Sequence, residues 1–208
     1  MVLALTAITI LSALALGYTN GATKDKIIAV QKQKTLAAIS KVVPGLDNDP
    51  NSEKYSVDGF DGLDFYPGKK EGKLIGTAVR TFADGFTEAV WIMVGFDTNN
   101  KIITTSVLGH KETPGLGSKM SDPKFKNQFD GKDPADYSLK VKKDGGDVDA
   151  IAAATISSRA FSDAAQKAYD AILKHSSETS PADPLVVPEA EPLTADTTQN
   201  NPADQEVQ

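Results

Sequence analysis

The hydrophobic pattern of this chain opens on an unbroken apolar run, MVLALTAITILSALALG, and the first charged residue is Lys24. A helix rises about 1.5 Å per residue, so a bilayer core of about 30 Å takes roughly 20 residues. Tyr18 and Thr19 extend the run, and Tyr18 suits a membrane interface. The expectation is one membrane-spanning helix over residues 1–20. A cleaved signal peptide is the rival reading, but a basic leading region and a small-x-small cleavage site are both missing. Lys24 and Lys26 follow the run, so the positive-inside rule alone puts the rest of the chain in the cytoplasm.

Beyond the run the periodicity changes. KDKIIAVQKQKTLAAISKVVPG reads as a helix that ends at Pro44-Gly45, with Ile27, Val30, Ile39 and Val43 on one stripe. It continues the span as a stalk over residues 21–44. GLDFYPGKKEGKLIGTAVRTF predicts two strands around a Pro-Gly-rich turn. EAVWIMVGFDTNNKIITTSVLG predicts two more, joined by the polar turn Asp97 to Asn100, with Trp91 and Phe96 as core residues. SLKVKK predicts a further short strand. Ile156, Ala160, Phe161, Ala164, Ala165, Ala168, Tyr169, Ile172 and Leu173 then recur at a helical period. The fold class expected is α+β: an antiparallel sheet covered on one face by helices, behind an N-terminal transmembrane helix. Residues 176–208 are rich in proline and acid and contain no lysine or arginine. Such a segment cannot bury enough apolar surface to offset its ordering entropy, so it predicts a disordered tail.

Composition narrows the chemistry. The chain has 208 residues and a net charge of −6, which gives no reason to expect nucleic acid as a partner. It has no cysteine, which removes disulfides and cysteine-held iron–sulfur clusters. Its two histidines, His110 and His175, are too scattered to suggest a metal site. Redox chemistry in such a chain requires an organic cofactor.

Two loops carry candidate binding residues. GHKETPGLGSKM, residues 109–120, contains three glycines and a proline. Glycine lets backbone approach a flat ligand closely and proline stiffens the loop. Glu112, Thr113, Gly115, Leu116 and Gly117 are the candidates there, against the plainer reading of a surface loop. DGGDVDAIAAATISS, residues 144–158, enters the last helix with Thr155 as its expected N-cap and Ser157 and Ser158 in its first turn. Helix N-termini accept phosphate readily, although a simple threonine cap has the same appearance in sequence. His110 reads as a structural loop residue.

Taken together, HKETPGLG and the D-x-x-x-x-A-T-x-S-S run from Asp149 to Ser158 resemble the FMN-binding domain of the G subunit of the Rnf electron-transport complex. The resemblance spans about residues 1–175 and extends to the C subunit of the sodium-pumping NADH:quinone oxidoreductase. It implies FMN joined through a phosphoester to Thr155, attached by a flavin transferase that uses FAD and Mg²⁺. The family motif has Ser or Thr and then Gly before the Ala-Thr pair, where this chain has Ala152 and Ala153. The resemblance further implies an FMN-binding domain over residues 45–175 and a single-pass protein of the bacterial inner membrane. The domain would lie outside the cytoplasm, against the charge rule, with membrane lipid and the other subunits of the complex as partners. The chain would relay electrons, coupled to ion movement, without being a self-standing enzyme. Three other readings stay open on the residues: a C-type subunit of the quinone reductase, a membrane-anchored extracytoplasmic binding domain without redox function, and a flavin-based sensor.

Overall fold

The computed structural model describes residues 2–178. Its first element, α1, is one helix over Val2–Val42. The expected span and stalk are thus continuous, and at about 1.5 Å per residue α1 is roughly 60 Å long. It ends where Pro44 and the left-handed Gly45 (φ +87°) follow, residues that cannot prolong a helix. Among the described residues no helix is long and apolar enough to cross a membrane. Leu3, Ala4, Ala7 and Ile8 of the leading run have side chains outside those residues.

Four strands follow: β1 (Asp64–Lys70), β2 (Lys73–Asp84), β3 (Ala89–Asp97) and β4 (Ile102–Gly109). They form one antiparallel meander in the order β1-β2-β3-β4. The β1–β2 turn falls at Glu71-Gly72, at the end of the Pro-Gly-rich stretch where the sequence placed a turn. Lys70 pairs with Lys73 around it, and both turn residues have positive φ (51° and 76°), the geometry that matches strand twist. Pro67 lies inside β1, which tolerates it because β1 is an edge strand. SLKVKK is not a strand. Val141 makes a single parallel bridge to Val148, and Lys142–Asp144 is a 3₁₀ turn.

The last helix, α2, runs Thr155–Glu178, three residues past the expected end of the domain, and the rest of the expected tail lies outside the described residues. Its apolar face carries Ala160, Phe161, Ala164, Ala165, Ala168 and Ile172, all buried against the inward face of the sheet, where Phe65, Val79, Ile92, Val94 and Phe96 meet them. Alanines at this spacing let the helix backbone sit close to the strands, and the buried Thr81 hydroxyl donates to the Ala164 carbonyl at 3.1 Å. Trp91 is only half-buried, with the Arg80 guanidinium stacked 4.0 Å from its ring, so it is not the core residue its strand pattern suggested.

Helices cover both faces of the sheet, not one. The second face is closed by the C-terminal turns of α1, where Ala38, Ile39, Val42 and Val43 pack on Tyr66, Ala78 and Met93. Ile27 and Val30, expected on the same stripe, are about half exposed because α1 has left the sheet by then. Gly95 permits this contact: a Cβ there would stand 2.1 Å from the Val42 carbonyl oxygen. Gly95→Ala is therefore expected to push α1 off the sheet and cost about 3 kcal/mol, as overpacked cores do. Denaturant titration of the full chain checks this.

Candidate functional site

At one end of the sheet three chain segments converge: the β2–β3 turn, the loop after β4, and the N-terminus of α2. Glu112 joins them. It is 5% exposed. Its Oε1 accepts the Phe86 N–H at 2.7 Å, and its Oε2 accepts the Ser157 hydroxyl at 2.6 Å. A buried carboxylate is costly unless donors surround it, and these donors come from the other two segments. Two glycines make room for it. A Cβ at Gly85 would lie 2.3 Å from Glu112 Oε1, and one at Gly117 would lie 2.4 Å from Ser157 Oγ and 2.8 Å from Glu112 Oε2. His110 supports the loop from within: its Nδ1 accepts the Glu112 N–H at 3.2 Å. This matches its expected role as a structural loop residue.

The loop itself is a compact turn. Leu116 N–H and Ser118 N–H both donate to the Thr113 carbonyl, and Gly115 N–H donates to Ser118 Oγ at 2.8 Å. Gly115 sits at φ +77°, in the left-handed region that this turn requires. Gly117 is the close-approach glycine.

The other wall is the segment before α2. Gln128 reads Asp149 on both sides, accepting its N–H at 2.7 Å and donating to its carbonyl at 3.1 Å. Ser158 Oγ accepts the Ile151 N–H and donates to the Ala154 carbonyl, both at 2.9 Å. The Ala154 carbonyl also accepts the Ser158 N–H, the first bond of the helix. Ala154 thus holds the cap position, and Thr155 is the first helical residue instead of the cap the sequence suggested. The displacement follows from Ala153, which adopts a left-handed φ of 61° and turns the chain one residue early. The half-buried Thr155 has its hydroxyl free of backbone duty, and Lys143 Nζ donates to it at 3.4 Å.

Between these walls lies a cleft of about 390 Å³, lined by Phe86, Glu112, Thr113, Leu116, Gly117, and Ala153 to Ser157. That is within the range of small-molecule sites, roughly 300–1,000 Å³. Of the residues singled out by sequence, Glu112, Thr113, Leu116, Gly117, Thr155 and Ser157 line this one cleft. Gly115 and Ser158 do not; they shape the loops behind it. Sequence reasoning missed Phe86, Gln128 and Lys143. An exposed aromatic in the turn DGFTE was the available signal for Phe86, which is 68% exposed. Charge is arranged beside Thr155. The Arg159 guanidinium grips Asp144 with two bonds of 2.7 Å and holds its carboxyl below the usual range. Asp149 pairs with Lys142 at 2.8 Å and raises its ammonium above the usual range.

Comparison with known proteins gives this site its class. Residues 85–170 match the FMN-binding domain family, a stretch that contains both walls of the cleft. The chain belongs to the family of G subunits of ion-translocating oxidoreductase complexes. It is 35% identical to the G subunit from Stutzerimonas stutzeri, over 73% of this chain and 70% of that one. It is also 35% identical to the G subunit from Methanosarcina acetivorans, over 76% and 84% of the two chains. The crystal structure of Shewanella oneidensis NqrC is 18% identical, with a TM-score of 0.46 over 64% of this chain and 76% of that one.

The cleft suits a flavin mononucleotide. Phe86, Leu116 and Ile156 offer apolar walls, Gly117 and Ala154 keep them close, and the unpaired first-turn N–H groups of α2 and the Lys143 ammonium suit a phosphate. Two substitutions probe its construction. Ala153→Gly relieves the left-handed backbone and is expected to stabilise the domain by about 1 kcal/mol. Gly117→Ala is expected to destabilise it by about 2 kcal/mol by forcing Ser157 off Glu112. Thermal melts of both variants read these opposite signs.

Proposed function

We propose that this chain carries FMN as a phosphoester on Thr155 and relays electrons within a membrane complex that couples electron flow to ion translocation. The observation that carries the reading is the position of Thr155. Its hydroxyl stands free of the helix cap, at the mouth of an apolar-walled cleft, beside a cation and over the positive end of α2. FMN supplies the electron-carrying chemistry. The chain's own residues hold it, shield it and set its surroundings. Leu116, Ile156 and Phe86 would flank the ring as apolar walls, and Glu112 links the segments that carry them. Membership of the G-subunit family favours this relay role over a non-redox binding domain, a sensor, or the C subunit of the quinone reductase. The other subunits of the complex and a flavin transferase are the partners this reading requires.

The membrane part of the proposal rests on α1. Val2, Leu5, Ile10, Leu11, Leu14, Leu16 and Tyr18 are each more than half exposed, on all sides of a helix that meets the rest of the protein only at its far end. A large exposed apolar surface of this kind calls for a covering phase. We assign residues 1–20 to a lipid anchor, 21–44 to a stalk, 45–175 to the FMN domain on the extracytoplasmic side, and 176–208 mainly to an acidic tail.

Thr155→Val keeps the shape and removes the nucleophilic oxygen. Covalent flavin fluorescence on a denaturing gel is expected to fall to background, while stability changes by about 1 kcal/mol or less, because the hydroxyl caps nothing. Full labelling of the valine variant contradicts the assignment. For the anchor, a lysine at mid-span costs roughly 2.5 to 3.5 kcal/mol on insertion scales. Replacing both Leu11 and Leu14 by lysine is expected to release the domain from membranes or block its export. A variant that stays in the membrane fraction at normal length would show that another element anchors the chain.

A further inference from the structure

We propose that Lys143 is the counter-cation of the cofactor's phosphate, a binding residue that lies outside both loops that carry the family resemblance. The inference rests on the reading of Thr155 as the attachment residue. Lys143 sits in the 3₁₀ turn Lys142–Asp144, which the structure fixes at several points. Lys142 N–H donates to the Val148 carbonyl at 2.8 Å, and Val141 bridges to Val148. Gly145 closes the turn in the left-handed region. The charges on either side of Lys143 are committed elsewhere: Lys142 to Asp149, and Asp144 to Arg159. Among the described residues Lys143 has no carboxylate within ion-pair distance, and its Nζ donates to Thr155 Oγ1.

That oxygen is the one a phosphoester would retain. When the transferase moves FMN from FAD, the pyrophosphate P–O bond breaks, AMP leaves and the hydroxyl proton is lost, so the Thr155 oxygen ends in a phosphodiester with one negative charge on its outer oxygens. An ammonium already aimed at the bridging oxygen lies next to those oxygens without rebuilding the turn. The first-turn N–H groups of α2 approach from the helix side and Lys143 from the loop side, so the charge meets donors on two sides. A solvated surface lysine that meets Thr155 by proximity alone makes a different forecast.

The test uses the full chain in detergent as wild type, Lys143→Gln and Lys143→Arg. Each is made with and without the flavin transferase, and the flavin is mapped by mass spectrometry. The readout is the difference in melting temperature between flavin-bearing and flavin-free forms of each protein. In low salt that difference is expected to be about 3 °C smaller in Lys143→Gln than in wild type, the shift of an interaction of about 1 kcal/mol in a chain of this size. Lys143→Arg is expected to keep most of it. In about 1 M salt, where the screening length is about 3 Å, wild type and Lys143→Gln are expected to converge. If Lys143→Gln accepts no flavin while Lys143→Arg does, the charge is needed at the phosphate during attachment, which supports the assignment. Equal differences in wild type and Lys143→Gln at low salt overturn it while leaving Thr155 in place. A wild-type chain with no flavin on Thr155 overturns the reading beneath, and the inference with it.

Discussion

The site depends on one buried carboxylate. Glu112 is held by the Phe86 amide from the β2–β3 turn and by the Ser157 hydroxyl from α2, segments that lie far apart in sequence. Losing the Ser157 donor leaves a buried carboxyl oxygen without a partner, at a cost of about 1–3 kcal/mol. The segments are therefore obliged to stay together, and the width of the cleft follows. Gly85 and Gly117 are consequences of the same constraint, since any side chain at either position would occupy the space of the carboxylate or of its partner. Glu112 acts on the cofactor's place chiefly by what it holds. The residues free to face a ligand are its neighbours Thr113 and Leu116, with Ile156 and Thr155 opposite.

Behind the site the sheet is clamped between two helices. α2 lies on the inward face through small side chains, and the last turns of α1 lie on the other face against Gly95. α1 continues without a break from its exposed apolar half into the core contact at Val42, so both halves belong to one helix. A phosphate bound over the N-terminus of α2, as proposed, would meet a helix that is itself tied to the sheet by the Thr81–Ala164 bond.

Much of this was legible in the sequence where pattern and packing agree. The strands of the meander alternate or run apolar as buried strands do, and the last helix repeats its alanines at a helical period. The departures have physical causes. Within the Pro-Gly-rich stretch the edge strand runs through Pro67, and Glu71-Gly72 supplies the positive φ pair that the hairpin twist requires. Thr155 has the chemistry of a cap, but the left-handed Ala153 moves the boundary to Ala154, and only coordinates reveal a positive φ at an alanine. At the site, the glycine-rich loop and the Ala-Thr-x-Ser-Ser run come together on one cleft. The division of labour within them was hidden: Gly117 serves packing and Gly115 serves the turn, while Ser157 holds Glu112 and Ser158 holds the loop. Such roles depend on which long-range partner each residue meets, and Lys143 and Gln128 reach the site only through tertiary contact.

The most direct test of the account is the mass of one peptide. Trypsin cuts after Lys143 and Arg159, so residues 144–159 leave as a single fragment containing Thr155, Ser157 and Ser158. In chain produced together with a flavin transferase, the account requires that fragment to carry one FMN joined through its phosphate, with fragmentation placing it on Thr155. The same peptide unmodified, or modified on Ser157 or Ser158, would contradict it.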